Sequence, residues 1–403
     1  MKKVLVTGLG AVTAVGLNVS DYWNALIQGK SGMKTFTRVS PELYDTSVAC
    51  EVDDAFEQLT SKYWKKRMLS ATTKSARMGL LSAGEAIEDC GADFSALDTG
   101  RIAVIYGLAD NSYEGAERET KSHITLKRMP SEVPAMIAIR YGIKGPSFNM
   151  STACASSGYA MALAKRLITA GICDMAIVGG LSYLVNDTVL KGFNQLLAMS
   201  SNPNPETACR PFTKNRDGFI MGEGGGCIIL ESEEHAAARN AKVYCEFAGA
   251  SMCCEAFNLT APMTDGKGMA ESMRLALEDA GIAPQEIEYI NAHGTSTYLN
   301  DLYETMAVKE VFGQYAQDIP VSSVKAAVGH TLAACAVLEG IACIKALETG
   351  ILPPTVHFDE PDPALDLNYI PNQAVRKDIR TVLSNSFGFG GHNASLIFRK
   401  ISE

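Results

Sequence analysis

Cys154 lies in NMSTACASSGYAMALAKRLITAG, where an extended run stops abruptly at the start of a helix built from small residues. Unpaired N–H groups at a helix start, with the positive end of the helix dipole, favour thiolate over thiol, so a pKa lowered toward working pH is expected. A cysteine taken alone is more often an inert buried side chain, so a nucleophilic reading needs partners. Three polar loops offer them: INAHGTSTYLND with His293, SSVKAAVGHTLAA with Lys325 and His330, and SNSFGFGGHNAS with Phe387 and Phe389. Each follows a strand-like run, as active-site loops do in α/β folds. Of the six histidines, His293 and His330 each stand beside a glycine in such a turn. Imidazoles brought to a helix-terminal thiol are the ingredients of nucleophilic and acid–base catalysis.

The elements that must position these groups alternate between Val/Ile-rich strands and alanine-rich helices. KKVLVTGLGAV, a helix near 71–90, RIAVIYGLA, the cysteine helix and MAIVGG follow in turn, which is an α/β pattern. Near Ala241 the pattern restarts. KVYCEFAGASM resembles the opening strand, MAESMRLALEDAGI resembles SARMGLLSAGEAIEDCGA, and IEYINAHG takes the place of RIAVIYG. VSSVKAAVGHTLAACAVLEGIACIKALETG echoes the cysteine segment as strand, tight turn, small-residue helix and closing glycine. The chain therefore reads as two duplicated halves, 1–242 carrying the cysteine and 243–403 carrying the histidine, lysine and phenylalanine loops. Both turn helices bear Ala, Gly, Ser or Cys on nearly every face, so they belong in the centre and not on a surface with one apolar stripe. Two sheets flanked by outer helices would sandwich them as a five-layer α-β-α-β-α body.

Composition narrows the function classes. The 403 residues are 47% hydrophobic and 20% charged, globular values without an apolar run long enough to span a membrane. The opening MKKVLVTGLGAV reads as a strand and not as a signal peptide. Eleven scattered cysteines without CxxC spacing point to reduced thiols in a cytoplasm, and neither a disulfide framework nor a metal site is expected. A net charge of −9 argues against general nucleic-acid binding. Lys62, Lys65, Lys66 and Arg67 form one basic patch in SKYWKKRM, which is either a solvated helix face or a seat for an acidic protein partner.

STACASSG, NAHGTST, KxxxGH and NSFGFGG, in this order and spacing, resemble the elongating β-ketoacyl-acyl carrier protein synthases of fatty acid and polyketide assembly, within the thiolase-fold condensing enzymes. The resemblance runs from VTGLGAVTAVG through RDGFIMGEGGG to SLIFRK, essentially the whole chain. It implies a thiolase-like fold and a decarboxylative condensation between malonyl-acyl carrier protein and an acyl group held on Cys154. By the same resemblance, the backbone N–H groups of Cys154 and Phe389 form an oxyanion hole, where fixed donors need no reorganisation. His293 and His330 bind the malonyl thioester carbonyl and stabilise the enolate, and Lys325 holds His330. Thr295, Thr297 and Thr260 flank the phosphopantetheine arm, Leu108 sets the depth of the acyl pocket, and Phe389 is a gate freed by flanking glycines. Lys62, Lys65, Lys66 and Arg67 become candidates for docking an acidic carrier through salt-sensitive contacts. The implied enzyme needs no cofactor of its own and works as a homodimer or as a heterodimer with a homologous chain-length-setting subunit.

The chain also departs from the family pattern. Tyr298 and Asn300 stand where HGTSTPxGD has proline and glycine, Val328 precedes Gly329 in place of threonine, His392 replaces the threonine of GFGGTN, and Asn258 falls where a histidine is common. Clustered around arm and gate, these changes favour a specialised polyketide or polyene synthase over a housekeeping fatty acid enzyme. Three alternatives are weaker. VTGLGAVTAVG offers a GxGxxG after a strand, but Thr13 replaces the third glycine and no acidic residue ends a second strand, against a nicotinamide oxidoreductase. A thiolase would need a second cysteine as base where this chain has paired histidines. A non-catalytic chain-length subunit would lack the cysteine.

Overall fold

The computed structural model describes residues 2–109, 124–127 and 129–401. Strand β1 (Val4–Thr13) is buried along its whole length and packs on helix α1 (Lys74–Cys90), whose first turn is capped by Thr73 and which ends at Gly91 in the left-handed region. Gly10 allows that contact, since a Cβ there would come within 1.9 Å of the Ser82 carbonyl oxygen. Because β1 runs unbroken through Gly8 and Gly10, GLGAV makes no phosphate-binding turn, and the dinucleotide alternative falls.

The first half continues through β2 (Ile102–Gly107), β3 (Ser147–Met150), α2 (Ser156–Thr169), β4 (Met175–Ser182) and β5 (Gly224–Ser232). These give a sheet of order β3-β2-β4-β5-β1, with β3, β2 and β4 parallel and both pairings of β5 antiparallel. The second half supplies β6 (Cys245–Ala250), α3 (Lys267–Ala280), β7 (Tyr289–Asn291), α4 (Tyr298–Phe312), β8 (Pro320–Ser322), α5 (Cys335–Thr349), β9 (Thr381–Gly388) and β10 (His392–Arg399). Its order, β8-β7-β9-β10-β6, repeats the first sheet in sequence and direction. The two sheets meet edge to edge through Leu5↔Glu246 and Val6↔Cys245.

Helices α2 and α5 pack on each other and reach strands of both sheets, while α1 covers the outer face of the first sheet and α3 that of the second. This is the expected five-layer arrangement, with the small-residue helices at its centre. Their Ala, Gly and Ser positions let backbones close in: a Cβ on Gly158 of α2 would meet the Cβ atoms of Ala394 and Ala336 at 2.9 and 3.3 Å. The turn expected after β8 holds a single helical turn, Lys325–Val328, before α5 begins at Cys335. The intervening His330 is tied by its own backbone to Ile220 and Gly222.

Candidate active site

Cys154 stands between β3 and α2, just ahead of the helix. Ala153 before it is held at φ +49°, a conformation that costs a non-glycine residue energy and is typical of functional turns. The short bridge between Thr152 and Cys154 and the Ala155 N–H to Thr152 carbonyl bond of 3.1 Å close the turn. The opposite wall comes from the second half. His293 and Gly294 follow β7, and both of their N–H groups donate to one carboxylate, Glu304 on α4, at 2.8 Å. His330 follows Gly329 (φ +69°), with its N–H on the Ile220 carbonyl at 2.7 Å and its carbonyl accepting from Gly222 N–H at 3.0 Å.

These loops converge. His330 Nε2 lies 3.1 Å from Cys154 Sγ, and the two imidazoles cross edge-on with centroids 5.3 Å apart. Phe219 packs edge-on against His330 and Phe387 against His293, at 5.3 and 5.7 Å. Among the described residues, the Nδ1 atoms of both histidines are buried without a hydrogen-bond partner. Below them the Lys325 ammonium pairs with the Glu339 carboxylate of α5, both fully buried. Cys335 donates from Sγ to the Cys154 carbonyl at 3.1 Å.

The electrostatics overturn one expectation. Burial pushes the Cys154 thiol up to about 11, although Lys325 and the backbone N–H groups of Phe389 and Cys154 pull the other way. The turn at the helix start therefore does not deliver a preformed thiolate; desolvation outweighs it. His293 and His330 are both held well below the ordinary histidine range, first by burial and then by the Lys325 charge, with His330 adding to the effect on His293. Two neutral rings next to a neutral thiol result. Burial opposes the charge on Lys325, yet Glu339 holds its pKa above the usual value.

A cavity of about 410 Å³ opens from this cluster to the surface, lined by Cys154, His293, His330, Phe389, Thr295, Thr297 and Thr260 among others. The Thr295 and Thr297 hydroxyls are 2.8 Å apart on one wall. Phe389 stacks obliquely on Phe193 at 6.5 Å, in a loop where Gly390 and Gly391 take φ values of +78° and +73°. Tyr298 and Asn300 also line the cavity. The Arg216 guanidinium sits 4.9 Å from the Tyr298 ring centroid, and Asn300 donates to Asp301 at 3.1 Å.

Other sequence candidates lie elsewhere. Leu108 is not on the cavity wall: it is buried among Trp64, Leu80, Val133 and Ile137, so the geometry gives no support to a depth-setting role. His392 packs edge-on against Tyr159 beside the gate at 6.1 Å, Asn258 caps the turn at Thr260 and Ala261, and Val328 is plain core. Lys62, Lys65, Lys66 and Arg67 are exposed next to α1. Lys62 is bound to Glu88 at 2.6 Å, whereas the other three make no ion pair among the described residues. Sequence reasoning missed Glu339 and Glu304. A lone carboxylate inside the apolar run CAVLEGIACIKA was the available signal for Glu339, since an unpaired acid is almost never fully buried.

A cysteine, two neutral imidazoles and a buried ion pair at the meeting point of two thiolase-like sheets define a condensing enzyme. The chain belongs to the β-ketoacyl synthase family: residues 1–236 match the model of the beta-ketoacyl synthase N-terminal domain and residues 244–359 that of the C-terminal domain. It is similar to 3-oxoacyl-[acyl-carrier-protein] synthase 2 of Coxiella burnetii, 36% identical over 100% of this chain and 99% of that protein. The enzyme of the same description from Synechocystis is 37% identical over 99% and 98%. Two solved structures align along its length. The ishigamide ketosynthase/chain length factor gives a TM-score of 0.91 at 32% identity, covering 100% of both chains. A type II polyketide acyl-carrier protein in complex with its ketosynthase bound to the hexaketide gives 0.90 at 32%, covering 99% of this chain and 100% of that one.

Proposed function

We propose that the chain is the catalytic ketosynthase of a specialised polyketide or polyene pathway and that it works on thioesters delivered by an acyl carrier protein. The observation that carries the catalytic part is the 3.1 Å approach of His330 Nε2 to Cys154 Sγ on the cavity wall. Cys154 Sγ attacks the acyl thioester carbonyl, its proton passes through His330 Nε2 to the departing pantetheine sulfur, and the oxyanion rests on the Cys154 and Phe389 N–H groups. Malonyl thioester then enters. Its carbonyl accepts hydrogen bonds from His293 Nε2–H and from His330 in the neutral tautomer that carries its proton on Nε2, while the C–CO₂ bond breaks, CO₂ leaves and the electron pair becomes the enolate. That carbanion attacks the acyl-Cys154 carbonyl, forms the new C–C bond and expels the thiolate, which takes up a proton.

Thr295, Thr297 and Thr260 offer hydroxyls to the pantetheine amides along the cavity wall. Phe389 admits the acyl chain by leaving Phe193, and the exposed Lys65, Lys66 and Arg67 offer an acidic carrier an electrostatic approach. Among the described residues, strand β3 ends its sheet with an unpaired edge, which supports pairing with a second copy or with a homologous chain-length subunit. The chain divides between the halves near residues 242 and 243. The pathway reading rests on the altered entrance, where Tyr298 stacks on Arg216 and Asn300 bonds Asp301.

Intact-mass analysis of acyl groups trapped on Cys154 from a panel of loaded carriers, with CO₂ release from malonyl carrier, tests both parts. Trapping of polyunsaturated or polyketide chains in preference to saturated ones supports the pathway. A preference for saturated fatty acyl chains returns the enzyme to fatty acid elongation, and product formed without CO₂ release overturns the mechanism.

A further inference from the structure

The turn that carries Cys154 is pinned on two sides, and the pins come from different halves of the chain. On its own side, Ser156 grips the Ala153 carbonyl with its N–H at 3.2 Å and its hydroxyl at 2.6 Å, and the same hydroxyl accepts the Thr152 N–H at 2.9 Å. These bonds set the peptide that enters Cys154. The peptide that leaves it is held from across the molecule, where the Cys335 thiol donates to the Cys154 carbonyl at 3.1 Å. A thiol is a weak donor in water. In a buried site of low dielectric the bond gains strength, and a carbonyl stripped of its donor there costs more than the bond contributes.

Cys335 is the first residue of α5, is buried, and packs with Cys154 and Leu332 in one apolar cluster. Its place in the chain matters more than its burial. Shortly before it stands His330, whose backbone is anchored to Ile220 and Gly222, and only the tight turn Leu332–Ala334 lies between His330 and α5. One short segment therefore carries both the imidazole that lies 3.1 Å from Cys154 Sγ and the thiol that holds the Cys154 carbonyl. The same thiol stands 3.9 Å from the Ser386 hydroxyl on β9, the strand that runs into Phe389. Cys335 thus sits between the two pieces of backbone whose N–H groups are assigned to the oxyanion.

We propose that Cys335 is a positioning residue for the acyl-transfer step: by tying the Cys154 carbonyl to the segment that bears His330, it sets the approach of Sγ to Nε2 and the direction of the Cys154 N–H. This rests on the reading of Cys154 as the nucleophile and deepens it. The consequence is selective. Without the thiol the cysteine turn loses its tie to His330, while His330 keeps its anchors on Ile220 and Gly222 and the His293 backbone keeps Glu304. Acylation of Cys154 suffers, and decarboxylation, which needs the two imidazoles, does not.

The test measures two rates in Cys335→Ala, which removes the donor, and in Cys335→Ser, which keeps one. Transfer of hexanoyl from hexanoyl-N-acetylcysteamine to Cys154 is followed by intact mass with peptide mapping, and CO₂ release from malonyl-acyl carrier protein is followed without an acyl donor. A misplacement of about 1 Å can cost about 100-fold, and a turn still held by Ser156 moves less, so Cys335→Ala is expected to slow hexanoyl transfer about tenfold. CO₂ release should stay close to the wild-type rate in both variants, which also reports that each is folded, and Cys335→Ser should recover most of the lost transfer. Hexanoyl transfer unchanged in Cys335→Ala overturns the proposal. So does transfer equally slow in both variants, which assigns the effect to packing and not to the donor, and so does loss of both steps together. Failure of the underlying reading looks different: hexanoyl mapped in the wild type to a residue other than Cys154 overturns the nucleophile itself.

Discussion

Lys325 and Glu339 form an ion pair with side chains only 1% and 2% exposed, directly beneath the two imidazoles of the site. Neither member can lose the other cheaply. Removing one partner of a buried pair strands the remaining charge and typically costs about 3–5 kcal/mol, whereas replacing both with apolar residues is often neutral or stabilising. Glu339→Ala is therefore expected to lower the denaturant midpoint strongly, and Lys325→Met/Glu339→Leu to restore most of it. Malonyl decarboxylation should stay depressed in the double variant, because the charge that polarises the site is gone. Recovery of both stability and decarboxylation would mean that the pair is only structural.

The histidines predict a pH signature. Burial first, and Lys325 second, keep His293 and His330 neutral below the ordinary range. Decarboxylation should then run flat through pH 6.5 and fall only at lower pH. The stability consequence has a definite sign: the unfolded chain protonates these rings near pH ~6.5 while the folded chain resists. Their contribution is thus complete above that pH and is lost as pH falls toward the depressed folded values. Lys325→Met removes one cause of the depression and should move the acid limb of decarboxylation upward. A wild-type limb centred near 6.5 would contradict the geometry.

Cys154 predicts slow chemistry with simple alkylating agents. With its thiol pushed up to about 11, the rate of iodoacetamide labelling should climb roughly tenfold per pH unit from neutrality toward that value, since only thiolate reacts. A plateau between pH 7 and 8 would show a preformed thiolate and revive the helix-start expectation. Acyl transfer from a bound thioester is not slowed to match, because His330 Nε2 at 3.1 Å takes the proton as the bond forms.

Much of this arrangement was legible in the residues, and the gaps have physical causes. The duplicated strand–helix pattern located both central helices because small residues on every face have only one sensible home, between two sheets. Cys154, His293 and His330 were readable because each sits in a turn after a strand and faces the cavity, and Lys325 because it stands in the same segment as His330. Glu339 and Glu304 were not, because their partners are 14 and 11 residues away in sequence and on different elements. The sign of the Cys154 shift was missed for a different reason: a helix start is a local feature, whereas desolvation depends on what the whole fold packs around the sulfur. Leu108 was placed correctly next to β2, but its burial in the apolar cluster that also holds Trp64 and Leu80 was not visible in one strand.

Gly329 tests how tightly the site is built. At φ +69° it lies in the left-handed region, and a Cβ there would stand 3.0 Å from the Gly222 N and Cα atoms and the Ile220 carbonyl. Those are the backbone groups that hold His330 from both sides, so Gly329→Ala must shift the turn or strain it. Displacing His330 acts most strongly on the step in which both imidazoles hold one carbonyl. A misplacement approaching 1 Å can cost about 100-fold in rate. Gly329→Ala is accordingly expected to lose CO₂ release from malonyl carrier by about that factor, with acylation of Cys154, followed by intact mass, reduced far less. Equal loss of both steps would instead place the damage at Cys154, and unchanged rates for both would show that the turn relaxes without moving the ring.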